Sequence, residues 1–263
     1  MDLQVRDKGY LLVGGTAGMG LAGARVLAAD GASIVVVGRD QARADRAAAE
    51  LLDAGATKAV GLSFDVSKEA DAARAVASSV EFLGRLDGLG VTTGTKGFMP
   101  IESSDDDWTN AFRDVVLGVA RSVEAALPHL IETRGTVVTT AAYSVRSPEL
   151  ARLPYASFKG SVALFTKGIA KAYGPQGVRA NCICPGAIET DGMHAMRQMI
   201  SDERGWPYET ALERVMVEDW EMHVALRRPG KPEEVGDLLA FLLSPRAGYL
   251  TGALVNIDGG TDF

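Results

Sequence analysis

The sequence predicts an α/β protein, a single domain built on a doubly wound, seven-stranded parallel sheet with helices on both faces. Short apolar and β-branched runs alternate with segments whose apolar residues recur at helical spacing, along the whole chain. Residues typical of ligand sites follow these runs at their carboxyl ends, which meet at one edge of a parallel sheet. With 263 residues and 47% hydrophobic content, the chain can bury one large core, and we expect one domain over 1–263.

Seven strands and six helices are predicted, and we expect no internal repeat or linker between them. The predicted strands are 10–13, 33–37, 60–64, 88–92, 137–142, 180–184 and 254–257. The first helix follows a glycine-rich turn, and the others are predicted at 42–54, 68–82, 108–130, 155–173 and 231–243. We expect the helix at 108–130 to be continuous.

The glycine-rich turn after the first strand predicts a dinucleotide site. It reads Gly14-Gly15-Thr16-Ala17-Gly18-Met19-Gly20 and leads directly into the first helix. Glycines let backbone N–H groups approach a pyrophosphate, and the start of the helix adds partial positive charge. We expect Gly14, Thr16, Gly18, Met19 and Gly20 to contact the cofactor.

The end of the second strand indicates which dinucleotide binds. An acidic residue at this place would bind the ribose hydroxyls, whereas an arginine can clamp a 2'-phosphate. Here the strand is followed by Gly38, Arg39 and Asp40, so NADP(H) is favoured over NAD(H). The alternative is that Arg39 is a solvated turn residue paired with Asp40.

Tyr155 and Lys159 form a candidate acid/base pair. Four residues apart on a helix, their side chains leave the same face, so an ammonium lies near a phenol. A nearby cation favours the phenolate and lowers the pKa of a tyrosine from about 10. The spacing is common by chance, and its alternative is a solvated helix face.

Taken together, several motifs resemble the short-chain dehydrogenase/reductase family over essentially the whole chain. They are Gly14-xxx-Gly18-x-Gly20, Asp65, Tyr155-xxx-Lys159, Pro185-Gly186 and Thr190. The resemblance implies a Rossmann fold, often tetrameric, that moves hydride between a nicotinamide cofactor and a carbonyl or alcohol.

The same resemblance implies roles for individual residues. Tyr155 would exchange the proton, and Lys159 would lower its pKa and bind the nicotinamide ribose. Asp65 and Val66 would lie at the adenine, and Thr190 with the turn at Pro185 and Gly186 would hold the carboxamide. Gly94 and Ile188, in the same segments, complete the expected cofactor contacts.

Three departures from the family pattern lie on the catalytic side. The usual serine, thirteen residues before the tyrosine, is Ala142, with Thr140 and Ser144 two residues to either side. On an extended chain these two would share the face of Ala142, so Ser144 could supply the hydroxyl or could be a loop-capping serine.

The other two departures concern amide side chains. Val115 occupies the position of a helix-bound asparagine, and Val91-Thr92-Thr93-Gly94 replaces an Asn-Asn-Ala-Gly segment. We expect threonine hydroxyls to replace the amide contacts. The leading hypothesis is therefore an active reductase or dehydrogenase, and the alternative is a catalytically weak, cofactor-binding relative with a structural or sensory role.

The segment 191–228 is predicted to be a lid that sets substrate specificity. It contains five of the eight methionines together with Trp206, Tyr208 and Trp220. Methionine adapts to irregular apolar shapes, which favours a bulky, mostly hydrophobic substrate. The alternative is that two amphipathic helices bury these side chains in the core or in a subunit contact.

The charge and the histidine spacing exclude several classes of partner. A net charge of −7 argues against binding to nucleic acid or to anionic membranes. The three histidines have no metal-ligand spacing, so we expect no metal.

The cysteines and the apolar segments indicate where the protein is located. We expect Cys182 and Cys184 to point away from each other and to form no disulfide, which fits a reducing cytosol. The apolar segments predict no signal peptide or membrane span, so we expect a cytoplasmic protein, and we expect a homotetramer.

Overall fold

The computed structural model describes residues 2–94, 99–148, 152–220 and 222–261. Within these ranges, seven parallel strands form one sheet in the order β3-β2-β1-β4-β5-β6-β7. The strands are β1 Gly9–Val13, β2 Ser33–Gly38, β3 Lys58–Ser63, β4 Gly88–Val91, β5 Thr136–Thr140, β6 Arg179–Pro185 and β7 Leu254–Ile257. This confirms the predicted fold class.

Helices cover both faces of the sheet. They are α1 Gly18–Ala29, α2 Gln41–Asp53, α3 Glu69–Leu83, α4 Asp105–Phe112, α5 Gly118–Thr133, α6 Leu153–Tyr173, α7 Asp191–Arg204, α8 Tyr208–Glu218 and α9 Pro232–Leu243. One hydrophobic cluster joins α3, α5 and α6 to the sheet, and a second joins α1, α2 and α9 to the opposite face.

Residues of β1 show why its sequence is uninterruptedly apolar. Leu11 and Val13 belong to the α3/α5/α6 cluster, whereas Tyr10 and Leu12 belong to the α1/α9 cluster. Side chains alternate between the two faces of a strand, and a parallel strand covered on both faces needs apolar residues throughout.

The central strand also determines where a ligand can bind. β1 pairs with β2 on one side and with β4 on the other, so the strand order of the sheet reverses between β1 and β4. The connections from β1 and β4 leave toward opposite faces and open a crevice beyond the carboxyl ends of the strands. The candidate site lies in this crevice.

The helix predicted at 108–130 is present, since helical backbone runs without a break from Asp105 to Thr133, but its middle is π-helical and not α-helical. α4 ends at Phe112, a π-helical segment spans Arg113–Leu117, and α5 begins at Gly118. A π segment inserts one residue into a helix without removing its apolar face, so the hydrophobic spacing does not reveal it. Val115 lies in this segment and is completely buried.

Helices α7 and α8 form a hydrophobic cluster of their own. Its members and the side chains packed against them are Tyr143, Ala187, Met193, Met196, Ile200, Trp206, Ala211, Leu212, Val215, Met216, Trp220, Met222 and Val224. Four of the five methionines of the segment thus stabilise the segment itself, and Met199 is half exposed. This packing matches the amphipathic-helix interpretation of the methionines.

The expectation for the two cysteines is wrong in its geometry. Side chains two residues apart on a strand share a face, and Cys182 and Cys184 are neighbours in one small buried cluster with Ala141. Both thiols are free.

Over the ranges that the structure describes, no helix combines the length and the apolar character that crossing a membrane requires.

Candidate active site

The glycine turn between β1 and α1 is held closely against the end of β4. Gly14 has a φ of +83°, and a Cβ built there would lie 2.8 Å from Thr92 Oγ1. The Thr92 hydroxyl donates to the carbonyl oxygen of Gly14 at 3.1 Å. This hydrogen bond ties the end of β4 to the glycine turn after β1, and the replacement of amide contacts by threonine hydroxyls stays a prediction.

The start of α1 is free to receive an anion. Ala17 occupies the N-cap position, and an alanine has no side-chain acceptor for the N–H groups of the first turn. Gly20 is buried against the turn, and the partly buried Met19 packs against the α1/α9 cluster. A pyrophosphate matches this arrangement of N–H groups.

Two adjoining cavities extend from this turn along the edge of the sheet. One, of about 450 Å³, is lined by Thr16, Arg39, Asp65, Val66 and Gly94 among others. The second, of about 770 Å³, is also lined by Thr16 and continues past Gly18 to Thr190. The two cavities and the uncapped helix start therefore fit an elongated, anionic dinucleotide.

The turn after β6 faces the glycine turn across the crevice. A Cβ built at Gly18 would lie 3.3 Å from Thr190 Cγ2, and one at Gly186 would lie 2.9 Å from Asp258 Cα. The Thr190 N–H donates to the Ile188 carbonyl oxygen at 2.8 Å. The turn from Pro185 to Thr190 is thus compact and close to the site predicted for the nicotinamide.

Lys159 connects three elements beneath the site. Its ammonium donates to the carbonyl oxygen of Thr140 at 2.9 Å and to that of Thr93 at 3.4 Å. The side chain is 2% exposed, and burial lowers the pKa of Lys159 to about 8. Of the three donors on an ammonium, these bonds use two.

Tyr155 lies on the same face of α6, with its ring centroid 5.7 Å from Lys159 Nζ. Burial raises the pKa of Tyr155 to about 12, and the Arg152 guanidinium offsets part of that rise. The expectation that this pKa lies below 10 is therefore wrong for the protein chain alone, because desolvation of the phenolate outweighs the nearby positive charge.

Two buried hydroxyls flank Ala142. Ala142 is extended, but the chain then enters a 3₁₀ turn at Tyr143–Val145, so Ser144 does not continue the strand and the extended-chain argument fails for it. Ser144 is 1% exposed and Thr140 is 4% exposed. Neither hydroxyl has a hydrogen-bond partner within the described ranges. A substrate oxygen would relieve the cost of burying either one unpaired.

The structure adds two arginines that the sequence argument passed over. Arg152 precedes Tyr155 by three residues, and its guanidinium lies 5.1 Å from the Trp220 ring. Arg43 lines the same cavity as Arg39. Helical spacing could have identified both, since Arg152 is three residues before the tyrosine and Arg43 lies in the first turn of α2.

Comparisons with known proteins identify the family of this chain. A family model described as enoyl-(acyl carrier protein) reductase matches residues 14–262. The 2-(S)-hydroxypropyl-CoM dehydrogenase 3 of Xanthobacter autotrophicus is 31% identical over 99% of this chain and 98% of its own length. A relative from the same organism, the inactive 2-(S)-hydroxypropyl-CoM dehydrogenase 2, is 32% identical over 90% of this chain and 98% of its own.

A solved structure agrees as well. The L-sorbose reductase of Gluconobacter frateurii, complexed with NADPH and L-sorbose, superposes with a TM-score of 0.92 at 27% identity and covers 98% of both chains. The fold and the site thus define an oxidoreductase built around a nicotinamide dinucleotide site. The chain belongs to the short-chain dehydrogenase/reductase family.

Proposed function

We propose that this protein transfers a hydride between NADP(H) and a bulky, mostly hydrophobic ketone or secondary alcohol, with Tyr155 as the general acid/base. The observation that carries the proposal is the position of Lys159. Its buried ammonium is bonded to the ends of β4 and β5 and lies beside the phenol, at the edge where the dinucleotide cavities open.

When NADPH is bound, its nicotinamide would provide the hydride that reduces the carbonyl carbon. Tyr155 gives its phenolic proton to the carbonyl oxygen, and Lys159 stabilises the phenolate that remains. Ser144 or Thr140 would hydrogen-bond the same oxygen in place of a hydroxyl at Ala142. Losing one such donor costs about 2–4 kcal/mol of transition-state stabilisation, so the enzyme would be slow and still active.

The choice of NADP(H) rests on the charges after β2. The Asp40 carboxylate is partly occupied by the helix, because its Oδ1 accepts from the Arg43 N–H at 2.7 Å and caps α2. Arg39 and Arg43 both line the cavity next to it. Two guanidinium groups there would bind a 2'-phosphate and leave NAD(H) the weaker ligand.

The remaining cofactor contacts follow from the same placement. Asp65 and Val66 would border the adenine, and the turn from Pro185 to Thr190 would hold the carboxamide. The third donor of Lys159 would bind the nicotinamide ribose. Asp65 and Val66 line one of the two adjoining cavities, and Thr190 lines the other.

The substrate would bind between Tyr155 and the segment 191–228, which we propose to be a lid. Trp220 lies over Arg152, three residues before the catalytic tyrosine, so this segment reaches the mouth of the site. Most of its apolar side chains pack against one another, so the proposal of a substrate with a hydrophobic body rests on the adaptability of the methionine side chains. We further propose a cytoplasmic homotetramer.

The function is tested by following oxidation of NADPH, and separately of NADH, against a panel of bulky ketones and diketones. We expect turnover with NADPH and a clear preference for it over NADH. Arg39→Ala should reduce that preference, because it removes one phosphate ligand. A parent protein that prefers NADH, or an Arg39→Ala variant with unchanged preference, would refute the choice of cofactor.

Ala142 favours one alternative, a protein that binds NADP(H) but turns over weakly and serves a structural or sensory role. This alternative predicts tight NADPH binding with no oxidation on any member of the panel. Measurable turnover that Tyr155→Phe abolishes would exclude it.

A further inference from the structure

A buried arginine joins the turn after β6 to both helices of the segment 191–228. Arg197, on α7, has a side chain only 5% exposed and forms ion pairs with Glu189 in the turn and Glu213 on α8. It bonds both oxygens of Glu213, at 2.9 and 3.0 Å. One guanidinium is thus shared by three structural elements.

The same guanidinium also fixes the beginning of α8. Arg197 Nη1 donates to the carbonyl oxygens of Tyr208 and Glu209, at 3.2 and 2.8 Å. Its Cζ lies 5.6 Å from the centroid of the Tyr208 ring. Nη1 has two N–H groups for three acceptors, the two carbonyls and Glu213 Oε2, so at least one N–H is shared, and any donor left unpaired in so buried an arginine would cost free energy. Moving the turn therefore disturbs α8 through Arg197.

Glu189 is the connection to the cofactor side. It lies between Ile188 and Thr190, the residues that we propose to hold the nicotinamide carboxamide. Its N–H donates to the Gly230 carbonyl oxygen at 2.9 Å, so its backbone is tied to the chain that leads into α9. Its side chain remains 23% exposed, and Glu189 lines the larger cavity.

We propose that Arg197 is a positioning residue that couples occupancy of the nicotinamide turn to the order of α7 and α8. When the turn is filled, Glu189 is held in place, and through Arg197 and Glu213 both helices are held over the substrate. The inference rests on the proposed function, because it requires the turn to bind the nicotinamide half of NADP(H).

A second ion pair in the segment provides a matched control. Arg204, at the end of α7, pairs with Asp219, just beyond α8, and its side chain is 46% exposed. It joins the same two helices without touching Glu189. Arg204→Met therefore weakens the contact between the helices and leaves the connection to the turn intact.

The test measures amide hydrogen exchange of α7 and α8 in the parent and in Glu189→Ala, Glu189→Gln, Glu213→Gln and Arg204→Met. Each is examined alone, with NADPH, and with 2',5'-ADP, which lacks the nicotinamide. In the parent, NADPH should slow exchange in both helices about tenfold, and 2',5'-ADP should not. Glu189→Ala should abolish this protection, Glu213→Gln should confine it to α7, and Arg204→Met should preserve it.

Kinetics provide the second measurement. Glu189→Ala should raise the KM for the carbonyl substrate about tenfold with little change in kcat, because the helices are less often in place. Glu189→Gln, which retains an acceptor, should lie between Ala and the parent, and it replaces Glu189→Ala if the latter does not fold.

Two results would overturn the inference. One is protection by NADPH that remains at the parent's level in Glu189→Ala, or in Glu189→Gln where Glu189→Ala does not fold, and the other is protection by 2',5'-ADP equal to that by NADPH. Either can occur in a parent that binds NADPH and turns over through Tyr155, which would leave the proposed function standing. A parent that does not bind NADPH would refute both proposals.

Discussion

Ala142 is the residue at which a single hydroxyl should change the rate. It is buried between two hydroxyls that have no partner in the described residues, Thr140 and Ser144. We predict that Ala142→Ser raises kcat about tenfold, part of the 2–4 kcal/mol that such a donor provides. NADPH affinity, measured by fluorescence titration, should not change.

The control for this prediction is the removal of each neighbouring hydroxyl. If Ser144→Ala lowers kcat about a hundredfold while Ala142→Ser has no effect, Ser144 already supplies the full hydrogen bond. Thr140→Val makes the same distinction for Thr140. A gain from Ala142→Ser is the result that would establish that the parent lacks this donor.

Burial of the charged Lys159 ammonium should lower the free energy of unfolding by an amount that depends on pH. Burial lowers its pKa from 10.5 to about 8, so between these values the unfolded chain binds more protons than the folded one. Stability due to this group therefore rises with pH across that window, and the cost below pH 8 is about 3 kcal/mol.

We accordingly predict that Lys159→Met abolishes turnover yet increases the free energy of unfolding at pH 7. The gain should shrink as the pH rises from about 8 to 10.5, the lysine's ordinary value. The carbonyls of Thr140 and Thr93 lose their donor in this variant, which reduces the gain without removing its pH dependence. Urea titrations at several pH values measure this, with the exposed Lys167→Met as control, and a constant difference across the window would contradict it.

At the scale of elements, α7 and α8 should lose order separately from the sheet. Leu212 is completely buried in their own hydrophobic cluster, apart from the two clusters that cover the sheet. Leu212→Ala should cost about 2–5 kcal/mol, and we expect this loss to fall on the segment. We predict that Leu212→Ala lowers kcat/KM for the carbonyl substrate about tenfold or more and leaves the affinity for NADPH unchanged.

The control is Val217→Ala, on the same helix but half exposed. It should leave both kcat/KM and NADPH affinity near the parent values. Equal loss of NADPH binding and of kcat/KM in Leu212→Ala would mean that the segment is part of the dinucleotide site rather than a separate cover.

Most helices and strands, but not the π segment, could be predicted from the sequence. The strands were predicted within one to two residues of their ends because a strand covered on both faces has a continuous apolar run, as at residues 34–37 of β2. The π segment at Arg113–Leu117 escaped because it alters hydrogen bonding without altering the apolar face.

Only the local motifs of the candidate site could be predicted from the sequence. Glycine turns and the Tyr155 and Lys159 spacing are local, so the sequence contains them directly. The phenol pKa depends on burial, and the Arg197 cluster depends on contacts between distant segments, those of Arg197 with Glu189 and with Glu213. The phenol pKa and the Arg197 cluster can therefore be seen only in the folded structure.

At the scale of the whole molecule, exposed apolar side chains indicate where subunits would meet. Leu164 is 74% exposed on α6, opposite the buried Val162 that packs against the sheet. If α6 pairs with a second copy, Leu164→Glu should place a charge in the contact and lower the mass measured by light scattering.

The matched control is Leu52→Glu, a half-exposed leucine on α2. It should leave the mass of a tetramer unchanged. A parent protein that is a monomer at working concentration would refute the tetramer, and equal masses for Leu164→Glu and the parent would remove α6 from the interface.

The most direct test of the central claim is the comparison of the parent with Tyr155→Phe, each assayed for NADPH binding and for NADPH oxidation with the best substrate of the panel. The variant removes only the phenolic hydroxyl, so we predict unchanged NADPH affinity and a loss of turnover of about a thousandfold or more. Turnover that persists in Tyr155→Phe would contradict the assignment of Tyr155 as the proton donor.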